Sequence, residues 1–160
     1  MNEESLLQWE ELGLLVRVLI AMAIGGVLGW EREAADKPAG LRTHMMVAGT
    51  AALLISLADA LVARGMATGP ASVVRLDPIR LVEAVVTGIG FLGAGTILRH
   101  GRKGVEGLTT AASILFTAVL GITVALDMWV LAFSLAVSAF VVLHLLGRLS
   151  RRISPSSPNP

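Results

Sequence analysis

The sequence predicts an all-α membrane protein, a polytopic bundle of about five transmembrane helices. Of its 160 residues, 54% are hydrophobic and only 16% are charged, and the mean hydropathy is +0.75. Soluble domains average about 45–50% apolar and about 25% charged residues, so this chain has too few charges to cover a water-exposed surface. The charges also cluster between apolar runs of the length that a bilayer core requires, about 20 helical residues.

Five apolar runs are long enough to span a bilayer, and none alternates as the strands of a membrane barrel do. The predicted helices are Leu12–Trp30, Thr43–Ala63, Ile79–Leu98, Gly107–Leu126 and Met128–Gly147. Asp77 and Pro78 are an N-cap and a first-turn residue, so they predict the start of the third helix. Asp127 marks a tight turn between the fourth and fifth helices.

The basic residues predict the orientation, because Lys and Arg favour cytoplasmic loops. With the amino terminus outside, nine of them lie on the cytoplasmic side and three on the outer side. The first basic residue is Arg17, so we expect the first helix to be retained rather than cleaved as a signal peptide. The predicted domains are a short acidic external segment at 1–11, a transmembrane domain at 12–147, and a basic, Pro/Ser-rich, disordered cytoplasmic tail at 148–160.

Three charged residues fall inside the predicted helices at about the same depth on the outer side: Arg17, Asp59 and Glu83. Charges in the membrane are costly and usually have a partner or a function. We therefore predict a buried polar cluster in which Arg17 pairs with Asp59 or Glu83. It is either a structural salt bridge or an entry site for a cation or proton, unless the side chains snorkel to the interface. The identity of any metal stays open, because an arginine among carboxylates argues against a tight cage.

Glycines predict close helix contacts in two places. Gly25 and Gly29 are four residues apart in the first helix and form either a packing face within the chain or a seam between two copies. The third helix matches the G-x-G-x-x-G nucleotide fingerprint, but no strand precedes it, which disfavours nucleotide binding. Its glycines instead indicate close packing or a functional break in the helix. They are Gly88, Gly90, Gly93 and Gly95.

Dense mixed charges follow the first helix, in 30–33 and again in 36–44. The simplest interpretation is a solvated loop with Trp30 as an interfacial anchor. The alternatives are an ion-pair network with Arg99, Arg102 and Lys103, or contacts with lipid headgroups.

Five motifs, in order along the chain, resemble the MgtC/SapB family of bacterial membrane proteins. They are GGVLGWERE from Gly25, KPAGLRTH from Lys37, DPIR from Asp77, GIGFLGAG from Gly88 and GLTTAAS from Gly107. The motif residues are Glu31, Arg32, Glu33, Pro38, Gly40, Arg42, Thr43, His44, Asp77, Pro78, Arg80, Gly88, Gly90, Gly93, Gly95, Gly107, Thr109 and Thr110. The chain departs from the family at Leu115, where a tryptophan is usual, and at Ala125 and Asp127, where glycines are expected. It also resembles a short form that lacks the soluble carboxyl-terminal domain of many members.

The resemblance implies a multi-pass protein of the bacterial inner membrane with about five helices. Family members are tied to magnesium homeostasis, growth in low magnesium, acid adaptation and the intracellular survival of pathogens. The best-known member is thought to act on other membrane machines, including the ATP synthase. The resemblance therefore implies a protein that modulates other membrane proteins, and the alternative is a small transporter or channel for Mg²⁺ or H⁺.

The expected partners are the lipid bilayer, other membrane proteins and a second copy of the chain. The net charge of +1 gives no reason to expect nucleic acid. No catalytic triad, metal-ligand set or nucleophile with a nearby base is visible, so we expect neither enzymatic activity nor a cofactor.

Overall fold

The computed structural model describes residues 3–68, 77–99 and 105–149, with side chains described at 8–62, 77, 79–97 and 105–149. The predicted all-α bundle is confirmed, and the described residues form five α-helices. They are α1 Glu3–Ala34, α2 Leu41–Thr68, α3 Pro78–Ala94, α4 Leu108–Ala125 and α5 Trp129–Val141, which continues into a π-helical turn at Val142–Leu146. By length and composition, α1, α2, α4 and α5 could each cross a membrane.

The third helix begins where the sequence predicts but ends earlier. The Asp77 carboxylate accepts the backbone N–H of Ile79 at 3.0 Å, and Pro78 occupies the first turn. The helix runs without a break through its glycines and stops at Ala94, after 17 residues, rather than at Leu98. After α3, a short antiparallel ladder joins β1 (Leu98–Arg99) to β2 (Val105–Glu106). The sequence did not predict this ladder, because a strand of two residues is too short to show an alternating pattern.

The fourth helix is the centre of the bundle and packs against α1, α2, α3 and α5. Its apolar residues Ile114, Leu120 and Val124 are fully buried. A Cβ on Gly121 would overlap the backbone of Ala48, so a glycine is required where α2 and α4 cross. This close approach in a tightly packed interior fixes the relative position of the two helices.

Buried hydroxyl groups on α4 bond to the helix's own backbone. Ser113 and Thr117 donate to the carbonyls of Thr110 and Ser113 at 2.8 Å, and Thr123 donates to Leu120 at 2.8 Å. A hydroxyl buried in an apolar interior would otherwise be costly. Each of these three hydroxyls therefore has an acceptor on the central helix itself.

Some predictions lie outside the described residues. Most of the basic tail 148–160 is among them, as are the first two residues of the segment 1–11 and the side chains of Arg64, Arg75, Arg99, Arg102 and Lys103. The predicted orientation with the amino terminus outside stays a prediction.

Candidate functional site

We call the end of the bundle where α1 stops and α2 and α4 start the Glu31 end, after its buried carboxylate. Two glycines bring α1 against α2 there. A Cβ on Gly25 would lie 2.6 Å from the carbonyl oxygen of His44, and a Cβ on Gly29 would lie 2.7 Å from the Cα of Leu41. Of the two interpretations of this glycine pair, the structure shows packing within the chain rather than a seam between copies.

The turn between α1 and α2 is shaped by Glu33. Its carboxylate accepts the backbone N–H of Leu41 at 2.8 Å and so caps α2. The end of α1 is closed by two backbone bonds, Asp36 N–H to the Glu33 carbonyl and Lys37 N–H to the Arg32 carbonyl, each at 3.0 Å. This is the Schellman arrangement, in which the residue after the helix is left-handed, and Asp36 has φ 54°. A Cβ on Gly40 would lie 2.7 Å from the Glu33 carboxylate, so the turn requires a small residue.

His44 links α2 to α4 at the same end and is fully buried. Its Nδ1 lies 3.0 Å from the Gly40 carbonyl oxygen, and its Nε2 lies 3.2 Å from the Ser113 hydroxyl. A carbonyl can only accept, so Nδ1 carries a hydrogen and, in the neutral ring, Nε2 accepts. The one hydrogen of the Ser113 hydroxyl can then go to Nε2 or to the Thr110 carbonyl, but not to both at once. No motif predicted a partner for His44, although its spacing to Gly40, one helical turn, was a signal for this contact.

Glu31 and Arg32 are the buried charges of this end, with side chains only 6% and 5% exposed. Arg32 Nε lies 3.7 Å from Glu31 Oε2, which is an ion pair but too long for a hydrogen bond. Among the residues that the structure describes, neither of these two atoms has a hydrogen-bond partner. The solvated-loop interpretation is therefore wrong for this pair, although Trp30 beside it is 73% exposed.

Both residues line a cleft of about 580 Å³ between the end of α1, the start of α4 and the end of α5. The start of α4 presents Gly107 in the left-handed conformation, φ 89°, and no side chain in the described part of the chain caps it. A Cβ on Gly107 would overlap the Thr96 carbonyl, so both conformation and space require glycine. The free N–H groups of the first helical turn therefore lie at the cleft, beside the motif residues Thr109 and Thr110.

The opposite end, which we call the Arg17 end, holds a different ion pair. Arg17 donates through Nε to Asp127 Oδ1 at 3.0 Å and through Nη2 to Oδ2 at 2.5 Å. The predicted pairing with Asp59 or Glu83 is therefore wrong. Both of these side chains are exposed, and neither makes an ion pair within the described residues. The sequence predicted how deep each charged residue lies along its helix, but not the direction in which its side chain points. That direction decides which residue Arg17 pairs with.

The motif residues of α3 lie away from the cleft. Arg80 pairs with Asp77 at 3.9 Å on the exposed side of the first turn. Among the described residues, a Cβ on Gly88 or Gly90 would have no atom within 4 Å, whereas Gly93 faces α4, where a Cβ would lie 3.5 Å from Ala111. Close packing thus holds for one glycine of the motif, while two lie on an uncovered face.

The structure describes no group of three or more acidic, histidine or cysteine side chains that could hold a metal ion; this covers only the described part of the chain. The remaining motif residues at the Glu31 end lie outside the cleft. Pro38, Arg42 and Thr43 lie in or just after the connection between α1 and α2, outside the cleft lining.

Comparison with known proteins agrees with these motifs. The sequence model of the MgtC family matches residues 18–152. The protein SrpB of Synechococcus elongatus is 40% identical over 137 residues, which are 81% of this chain and 72% of SrpB. YhiD of Escherichia coli, named a putative magnesium transporter, is 35% identical over 87% of this chain and 63% of its own length. MgtC of Salmonella typhimurium is 35% identical over 88% of this chain and 55% of its own length. The chain thus spans only part of each relative, and no solved structure matches it.

Proposed function

The chain belongs to the MgtC family, and from that premise we propose that it is a bacterial inner-membrane protein that serves magnesium homeostasis by modulating other membrane proteins. One relative is named a putative magnesium transporter, and the family resemblance implies adaptation to low magnesium and acid. The chain has the long apolar helices of a membrane protein. Its action on other membrane proteins needs a surface that another helix can contact closely.

One face of α3, which the described residues leave uncovered, supports this proposal. Ala84, Gly88 and Phe91 follow one another at helical spacing, all three are exposed, and Phe91 is 84% exposed. Small residues four apart let two helix backbones approach closely in lipid, where burial of apolar surface gives no driving force. In α5 the equivalent pair, Ala132 and Ala136, is already buried within the bundle. The α3 face therefore has the shape for a helix of another protein.

The alternative is a small transporter or channel for Mg²⁺ or H⁺. That function requires polar groups along an ion path, and the sequence predicted them as a cluster of Arg17, Asp59 and Glu83. Arg17 instead bonds to Asp127, and the two carboxylates lie on the exposed faces of α2 and α3. This arrangement favours the modulator over the transporter.

The proposal is tested by complementation of a deletion strain at limiting magnesium. We expect Gly88→Leu to lose growth at low magnesium while remaining in the membrane at the wild-type level, because the leucine blocks close approach to α3. Gly13→Leu is the matched control, since Gly13 on α1 is equally uncovered but lacks the neighbouring small residues of the α3 face. A photocrosslinker at position 91 should form an adduct with one membrane protein, whereas one at the exposed Leu19 should not.

Two results would contradict the proposal. Full growth of the Gly88→Leu strain would show that the function does not need close approach to α3. Flux of Mg²⁺ or H⁺ into proteoliposomes that contain only the purified chain, abolished by Glu83→Gln, would establish the transporter instead.

A further inference from the structure

The cleft at the Glu31 end contains an unusual set of hydrogen-bonding groups. The Arg32 side chain is only 5% exposed, and its Nε lacks a hydrogen-bond partner within the described residues. Lys37 lines the same cleft, as do the first residues of α4. The amides of Leu108, Thr109 and Thr110 precede the first helical bond, which is Ala111 N–H to the Gly107 carbonyl. Donors from two elements thus converge on one space.

These donors favour an anion. Helix N-termini concentrate partial positive charge and free N–H groups, and they bind phosphate readily. Among the described residues, no side chain caps the α4 terminus and occupies those amides. The arginine guanidinium adds a charged donor whose geometry suits phosphate oxygens. A divalent cation would be repelled by the same arginine, lysine and helix terminus.

Glu31 adds a second requirement. Its Oε2 is also buried and has no hydrogen-bond donor within the described residues. A carboxylate oxygen can only accept, so a fully deprotonated anion would leave it unsatisfied and repel it. The ligand must therefore offer a hydrogen-bond donor next to its negative group.

We propose that this cleft binds a phosphate group that carries an adjacent donor, with Arg32, Lys37 and the α4 amides holding the phosphate and Glu31 accepting the donor. A phosphoethanolamine headgroup has this chemistry through its ammonium group, and inorganic hydrogen phosphate has it through its P–OH group. The wall formed by Val142, Leu143 and Leu146 is apolar and belongs to a span long enough to cross a membrane. That wall provides a surface for the acyl chains of a lipid.

The test is isothermal titration calorimetry of the purified full-length chain in maltoside micelles. The two probes are dioctanoyl phosphatidylethanolamine and inorganic phosphate, titrated separately. We expect one of them to bind, with Lys37→Gln weakening binding about fivefold, because an attraction between an exposed lysine and the phosphate is lost. Lys37 is exposed, so this variant keeps the fold. Arg42→Gln is the matched control, since Arg42 is exposed at the same end outside the cleft, and we expect it to bind as the wild type does.

Glu31→Gln tests the second half of the proposal. It keeps the size of the side chain and removes its charge, so the ligand's donor loses a charge-assisted bond. We expect weaker binding of whichever probe binds, by about fivefold or more.

The two probes distinguish a lipid ligand from a soluble one. Binding of the lipid identifies a headgroup site, and binding of inorganic phosphate identifies a soluble ligand; both support the proposal. No binding of either probe, or equal loss in Lys37→Gln and Arg42→Gln, would overturn it. Unchanged affinity in Glu31→Gln would overturn the role of Glu31. The assay contains no partner protein, so its result is independent of the growth phenotype of α3 variants.

Discussion

The two ends of the bundle hold their charges in opposite ways. At the Arg17 end, Arg17 and Asp127 are 34% and 49% exposed and make two hydrogen bonds with each other. At the Glu31 end, Glu31 and Arg32 are almost completely buried, 3.7 Å apart and without a hydrogen bond between them. The exposed pair is thus the well-bonded pair, and the buried pair is not.

The difference follows from sequence spacing. Arg17 and Asp127 come from different helices and can orient toward each other, whereas Glu31 and Arg32 are consecutive in α1. Consecutive helical residues do not face each other. Burial of two charges costs several kcal/mol per ion unless the geometry is excellent. The Glu31 end therefore carries an uncompensated cost, which a ligand in the cleft would offset, while the Arg17 end needs nothing further.

The largest effect is expected at the Glu31 end. Glu31→Leu should lower the free energy of unfolding by about 3–5 kcal/mol, because it leaves the Arg32 charge buried without a counter-charge. The measurement is unfolding by SDS titration, followed by tryptophan fluorescence. The double variant Glu31→Leu with Arg32→Leu should recover most of the loss, since both charges are then absent.

A double variant as unstable as Glu31→Leu alone would contradict this explanation. It would mean that the glutamate contributes through its shape or contacts rather than through the buried charge of its neighbour.

The next effect separates covered from uncovered glycines. Gly29→Leu should cost about 1–3 kcal/mol through overpacking, because a side chain there meets the backbone of α2. Gly88→Leu should be neutral or stabilising by up to about 1 kcal/mol, since leucine has the higher helix propensity and no described residue lies within 4 Å of a Cβ there. Thermal melting of both variants in micelles measures the two effects. An equal fall in the melting temperature of both variants would show that the Gly88 face of α3 is covered.

The sequence was sufficient for the helices but not for the partners of their charges. Hydropathy and length locate α1, α2, α4 and α5, and Asp77 with Pro78 locates the start of α3. These features are local, so a single sequence contains them. The end of α3 at Ala94 and the two-residue ladder after it depend on a turn after Gly95 that no periodicity indicates.

The candidate site was predicted only as a set of motifs. Glu31 and Arg32 follow an apolar run, and such charges look the same in sequence whether water or another helix covers them. Their burial results from Gly25 and Gly29, which bring α2 close, and from α4, which is more than 70 residues away in the chain. Asp127 was recognised as a turn residue, but the rotation of α1 that turns Arg17 toward it is a property of the packed bundle.

The smallest effect is expected at the Arg17 end and tests whether that pair is structural. Asp127 has φ 55°, a conformation that asparagine also tolerates, so Asp127→Asn removes the charge and keeps the turn. A double-mutant cycle with Arg17→Gln should give a coupling of about 0.2–1 kcal/mol, typical of exposed ion pairs, that shrinks in high salt. Asp59→Asn is the matched control, and we expect it to show no coupling with Arg17. A larger coupling to Asp59 than to Asp127 would restore the outer polar cluster and, with it, the case for a cation path.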